Sequence, residues 1–432
     1  MKRAINIDNF LIIFFLLLAI LQALWTNESS FPPTAARLLM ISACFIPLFF
    51  KVEYVSFAFV LFSILRGNLS TAYSYLPDIN SVGIYILFVL ILFIFHYPKI
   101  STRLIPLGPI YLFLLFYWFI VDLFNGVFGG SYPTLLFLSL LIGAFCKTRR
   151  AFHLMSLGFI FASLILSVYY FCMFDKFLAD WGGDGLARSG WKDPNYFSTT
   201  LAYGYIISMF YILGYLKSDL LWLKNKFSLY LTPFVILAAI ILLASRGTFI
   251  SVLLSTIILL LCSKVYFKWK LCFILLLIIS SSLFFYLGYF DTLFFRLVDE
   301  GNMDSGGSRT FIWQNLIAAY QEQGALLRIF GGGDHHHIAL INEHVHNELL
   351  TILSDYGIVG VCIYLCYLLK VSISALRNKS MVLFIALFFY VLTTLSLSPF
   401  SYINSFLYVI WMTNMLILYQ NRMGDEENNF IY

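Results

Sequence analysis

In the stretch NEHVHNELLTILSDYGIVG, residues Asn342 to Gly360, titratable and polar side chains stand at the threshold of an apolar helix. His346 and Asn347 open a run that carries Leu349, Leu350, Ile352, Leu353, Ile358 and Val359, with Asp355, Gly357 and Gly360 inside it. An imidazole titrates near neutral pH and can act as a general base. A helix N-terminus favours anions. The same position equally suits a histidine that only caps a helix at an interface, so position alone leaves both roles open. Asp355, within an apolar span, must face protein or water. Gly357 and Gly360 permit close helix contact.

Anion chemistry would need cations near that histidine. Arg246 sits in LLASRGTFIS, in the middle of a long apolar stretch, so the chain must turn there and present one guanidinium at the boundary. Its alternatives are an anionic partner or a side chain reaching to headgroups. Arg188 lies in LARSGWKDPN, just before Asp193, Pro194 and Asn195, which read as a turn and helix start. Arg309 begins SRTFIWQNLIAAYQEQ, where Phe311, Ile312, Leu316 and Ala319 recur at helical spacing against Arg309, Gln314 and Gln321. That amphipathic helix reads either as a lid over an outer cavity or as a loop packed for stability. Two or three arginines converging from separate loops would hold a phosphate or pyrophosphate, because the planar fork contacts its oxygens in pairs.

The elements that must position these residues are transmembrane helices. The chain has 432 residues, of which 61% are hydrophobic and only 11% charged, against roughly 25% charged in a soluble domain. Apolar runs recur from end to end. Spans are expected near 9–25, 34–50, 53–66, 81–97, 105–122, 131–146, 151–173, 197–216, 228–244, 248–263, 271–290, 348–369, 380–397 and 403–419. Several are short for a bilayer core, so the expected architecture is an all-α polytopic bundle of about 12–14 helices in one membrane domain, residues 1–432. Basic clusters fall on alternate connections and at both termini, among them Lys2 with Arg3, Lys147 with Arg149 and Arg150, and Lys370 with Arg377. That side is assigned to the cytoplasm. On the opposite side the longest loop, 291–346, contains both the amphipathic helix and the histidines.

Other residues carry less. Seven cysteines, Cys44, Cys146, Cys172, Cys262, Cys272, Cys362 and Cys366, fall in or beside apolar spans and read as small buried hydrophobes, not disulfides. The DHHH run, Asp334 to His337, with His344 and His346, offers metal-binding side chains, yet no spacing fixes a tetrahedral site, so no metal is assigned. FGGGD, Phe330 to Asp334, lacks the Lys-Ser/Thr ending of a nucleotide-binding loop and reads as a flexible turn. His96 and His153 fall on the cytoplasmic side and read as incidental. The net charge of +5 points to anionic lipid headgroups and not to nucleic acid.

HNELLTILSDYGIVG resembles the His-Asn, nine residues, Gly-x-x-Gly signature of the O-antigen ligase and polymerase superfamily. IFGGGD, SRG at Ser245 to Gly247, and SGGSRTFIWQNLI at Ser305 to Ile317 look like its accompanying motifs in the expected order. The motif-bearing part runs from Arg188 to Gly360. The resemblance implies a GT-C-like bundle with one large periplasmic loop, in the bacterial inner membrane, with both termini cytoplasmic. It also implies a metal-independent inverting glycosyltransferase, needing no cofactor, that uses an undecaprenyl-pyrophosphate-linked oligosaccharide as donor. Carried over by position, His346 is the base, Arg246 and Arg188 hold the pyrophosphate, and Arg309 is a third cation. Asn347 or Glu343 orients the histidine or the acceptor, and Asp355 is a supporting residue.

Within the superfamily two acceptors remain open. A polymerase extends another lipid-linked repeat unit, with room for a chain-length-regulating partner. A ligase transfers the finished glycan to lipid A-core. The aromatic content, 46 Phe and 28 Tyr, leans to a polymerase. A lipid-linked oligosaccharide flippase would instead show buried charges along a central pathway and related halves, and no internal repeat is evident.

Overall fold

The computed structural model describes residues 2–25, 53–69, 109–127, 148–172, 178–180, 187–189, 194–224, 226–286, 309–395, 397 and 408–415. The expected spans at 34–50, 81–97 and 131–146 lie outside the described residues, as do Cys44, Cys146, His96 and the 291–308 part of the long loop. Where the expected spans are described, helices lie on them. These are α1 (Lys2–Trp25), α2 (Glu53–Leu69), α3 (Pro109–Phe124) and α4 (Arg149–Cys172). After a two-stranded hairpin come α5 (Pro194–Ile212), the short α6 (Leu221–Lys224), α7 (Lys226–Leu242), α8 (Arg246–Cys262) and α9 (Phe267–Tyr286). The loop region folds into α10 (Arg309–Glu322), α11 (Ala325–Phe330) and α12 (His336–Ile341), and the long α13 (Glu348–Arg377) and α14 (Met381–Thr394) follow.

Two departures from the expected plan stand out. The hairpin pairs β1 (Leu178–Asp180) antiparallel with β2 (Ala187–Ser189), so the described fold is not wholly helical. And α13 does not end near 369: Lys370 is inside the helix, which continues to Arg377.

α4 and α13 are long and apolar enough to cross a bilayer. Several helices are apolar on both faces, the pattern of a chain solvated by lipid. α8 exposes Ile250, Leu253, Leu254, Ile257 and Leu261 along one stripe, and α13 exposes Ile358, Leu365, Leu369, Ile373 and Leu376. Cys172, Cys262, Cys362 and Cys366 are free thiols on these outward surfaces, not buried as expected. The error has a simple cause: in lipid the outside of a helix is as apolar as its inside.

The interior is built on α4 and α5, with α2 packed on α4, and α7 and α8 packed on α5. Small residues allow the close approach. A β-carbon on Gly158 would lie 3.0 Å from the Phe57 carbonyl oxygen. At one end of α5, Arg149 donates to the Lys217 carbonyl at 3.3 Å, Arg150 pairs with Glu53 at 3.4 Å, and the buried His153 meets the Tyr211 hydroxyl at 2.7 Å. His153 is therefore a packed interior residue of the basic end. α5 spans 19 residues, about 28 Å, so its other end, at Asn195, lies one hydrocarbon thickness away.

Candidate active site

The end of α5 remote from the basic cluster organises the site. Pro194 is its first residue, where a missing N–H costs nothing. Ser198 and Thr199 donate back to the Asn195 carbonyl, both at 2.9 Å, and both hydroxyls meet Thr248 of α8, at 3.0 and 2.8 Å. Ser245 donates to the Asn195 side-chain oxygen at 3.0 Å. Ser245 holds the N-cap position of α8 and makes no side-chain cap bond to its own helix, whose first residue is Arg246. The turn itself is tight: Ala244, just before the cap, has φ +51.

The histidine turn reaches the same place from the other side. The Tyr196 ring lies 6.1 Å from the His346 ring. His346 has φ +51, an uncommon conformation for a residue with a β-carbon, and is followed by Asn347 at the N-cap of α13. The Asn347 side chain accepts from the Leu350 amide at 3.2 Å. Trp313 of α10 donates its indole N–H to the Val345 carbonyl at 2.8 Å, which ties the helix begun by Arg309 to the residue preceding His346. The Asn195–Tyr196 pair thus sits between the Arg246 turn and His346, and α10 is pinned to the same turn.

The FGGGD segment is a docked turn and not a flexible one. Gly331, Gly333 and Asp334 are buried. α13 breaks at Gly357, with φ +66 and ψ −174, and the end of α11 lies in the break: a β-carbon on Gly357 would overlap the Ile329 carbonyl, and one on Gly331 would overlap that of Asp355. The Gly333 amide donates to the Asp355 carbonyl and the Asp334 amide to the Asp122 carboxylate of α3, both at 2.8 Å. Tyr117 Oη lies 3.0 Å from the carbonyls of both Phe330 and Tyr356. Gly357 therefore serves a kink, not helix–helix contact; at Gly360 an added β-carbon would meet Tyr356 Cβ of the same helix beside that kink, while the Tyr117 ring of α3 would lie at an ordinary contact distance of 3.5 Å.

Beyond the turn the Asp355 carboxylate, fully buried, accepts the His337 backbone N–H at 2.8 Å, and its two oxygens lie 3.0 and 2.9 Å from His337 Nδ1. His336 approaches the Gln323 amide nitrogen at 3.0 Å, and burial lowers its pKa from the ordinary imidazole value. α10 covers this region through Ile312, Trp313, Leu316 and Tyr320, while Phe311, expected on the packed face, is 63% exposed. The Tyr320 hydroxyl donates to the Arg328 carbonyl at 2.6 Å.

The residues expected to act are thus partly reunited. His346, Asn347, Arg246 and Arg309 stand on elements joined by direct contacts. Arg188 lies on β2, paired in register with Ala179, a few residues ahead of α5. Glu343 is exposed beside the turn. Asp355 serves His337 and not His346. Among the described residues no group of three or more His, Cys, Asp or Glu side chains is arranged to hold a metal. Sequence reading missed His337, Tyr196, Trp313, Asp122 and Glu348, the last fully buried in the first turn of α13. An aspartate near the end of the apolar run PIYLFLLFYWFIVDLF was a legible sign of an internal partner.

The O-antigen ligase family matches residues 231–365, a segment that includes the Arg246 turn, α10, the docked glycine turn, His346 and the Gly357 kink. No curated protein matches the chain. Over residues 231–365 the chain is thus similar to the O-antigen ligase family, a match that supports a place in the O-antigen ligase and polymerase superfamily.

Proposed function

We propose that the protein is a polysaccharide polymerase: it transfers a growing glycan from undecaprenyl pyrophosphate to a hydroxyl of a second lipid-linked repeat unit, at the periplasmic face of a bacterial inner membrane. The observation that carries this reading is the meeting of the Arg246 turn and His346 at Asn195 and Tyr196, with α10 tied to Val345, at the end of α5 opposite the basic Arg149 and Arg150 cluster. Basic clusters mark the cytoplasmic side, so the site faces outward and both termini inward. A site gathered at one membrane face supports an enzyme over a transport pathway.

In the reaction, the acceptor oxygen bonds to the anomeric carbon as the bond to the pyrophosphate oxygen breaks, with inversion. His346 takes the hydroxyl proton. Arg246, Arg309 and Arg188 neutralise the departing pyrophosphate, helped by the uncapped start of α8. Asn347 holds the start of α13 and thereby the histidine. The driving force resides in the glycosyl–pyrophosphate bond that breaks, so no nucleotide is consumed, and the arginines supply the positive charge that a metal would otherwise provide. Arg246→Ala is expected to lower the rate at least about a hundredfold, and Arg246→Lys by less.

The family description favours one other reading, a ligase that uses lipid A-core as acceptor. Purified protein supplied with a lipid-pyrophosphate-linked repeat unit in EDTA separates the two. A ladder of glycan lengths without lipid A-core is the expected result; product formed only when lipid A-core is added would establish the ligase.

A further inference from the structure

We propose that His344, His337 and Asp355 form a proton path leading away from His346, with the Asp355 carboxylate at its end. The proposal rests on the reading of His346 as the base. Asp355 faces His337 Nδ1 with both oxygens, at 3.0 and 2.9 Å, and also accepts the His337 backbone N–H. An ionised carboxylate only accepts, so Nδ1 carries the ring hydrogen and Nε2 of the neutral ring is a proton acceptor. The His337 and His344 ring centroids are 6.0 Å apart, and those of His344 and His346 are 6.3 Å apart, steps short enough for one water molecule to span. The row starts at the partly exposed His346, passes the exposed His344 and ends on a pair that is 3% and 0% exposed.

The charges around the row give it a direction. His346 stands at a turn whose ring neighbour Tyr196 follows Asn195, the partner of the Ser245 hydroxyl just ahead of Arg246, and Val345 before it is tied to α10, the helix that Arg309 begins. At the other end, Asp355 is joined by Asp334, whose carboxylate lies 3.6 Å from His335 Nδ1; the buried Asp122, which accepts the Asp334 amide and the Tyr356 hydroxyl, is not counted among the charges. His335 and His336 flank His337 from its own turn, and Glu348 lies in the first turn of α13. A proton that leaves the acceptor hydroxyl for His346 therefore gains by moving through His344 to His337 Nε2. The imidazolium formed there faces the Asp355 carboxylate. After turnover the proton returns to water through the exposed His344.

The test compares His344→Ala, an exposed position outside the packed core, with His337→Gln, which keeps the backbone bond to Asp355. Turnover is measured from pH 5.5 to 8.5 in purified, detergent-solubilised protein, together with thermal unfolding. Each variant is expected to lose about tenfold in kcat with KM within about twofold of wild type, to show a shifted acid limb, and, for His344→Ala, to recover with added imidazole. Wild-type kcat and pH profile in both variants, with His346→Ala inactive, would overturn the path and leave the base intact. A loss that follows thermal stability and ignores imidazole would also overturn it. Absence of transfer by the wild type would instead remove the reading on which it rests.

Discussion

Replacing Gly357 by alanine is the sharpest structural test of the site's frame. At φ +66 and ψ −174 the backbone is in a region that only glycine occupies comfortably, and strain there costs about 1–3 kcal/mol for a residue with a β-carbon. The added methyl would also overlap the Ile329 carbonyl, a backbone atom that cannot retreat unless α11 lifts from the kink, for about 1–3 kcal/mol more. The sum is about 4 kcal/mol. At roughly 2–4 °C per kcal/mol for a moderately large chain, and somewhat less for a longer one, apparent unfolding in detergent should fall by about 8 °C. Gly126→Ala is the control: its φ is +70 but nothing lies within 4 Å of an added β-carbon, so it should lose about 2–4 °C from strain alone. Glycosyl transfer should collapse in the Gly357 variant and survive in the Gly126 variant. Equal, small shifts in the two would refute the docking of α11 and the glycine turn into α13.

Other outcomes follow from the same geometry. Asn347→Ala removes the cap on Leu350 and should cost about 1 kcal/mol of stability while lowering transfer, whereas Asn347→Asp, which can cap equally well, should unfold near the wild-type temperature. Burial lowers the His336 pKa, so the fold prefers the neutral ring; its contribution is whole above the ordinary value of about 6.5 and fades as pH falls through that value toward the lowered one. Thermal unfolding of the wild type should therefore drop more between about pH 8 and pH 5.5 than that of His336→Gln.

The helices were legible because hydropathy reports a bilayer directly, and observed boundaries such as Arg149–Cys172 fall within a few residues of the expected 151–173. The helix start at Asn347 was legible for a local reason, a cap residue ahead of an apolar run. What stayed hidden depends on distant pairs. The Asp334 amide finds Asp122 across 212 residues of chain, and Tyr117 meets the Tyr356 carbonyl across 239. No local pattern announces such partners, so FGGGD read as flexible when two membrane helices hold it. Gly357 read as a helix-contact glycine because the sequence does not show that another backbone enters there. His337 was obscured by its neighbours: three consecutive histidines give no spacing that singles one out, and only the fold shows that one of them is claimed by Asp355.

The central claim is that His346 activates an acceptor hydroxyl against a lipid pyrophosphate held by arginines. Release of undecaprenyl pyrophosphate by purified protein, measured in EDTA with donor and acceptor both present, tests it most directly. Steady release by the wild type, none above background from His346→Ala, and thermal unfolding of that variant close to wild type are the expected results. Release by His346→Ala at the wild-type rate would contradict the claim.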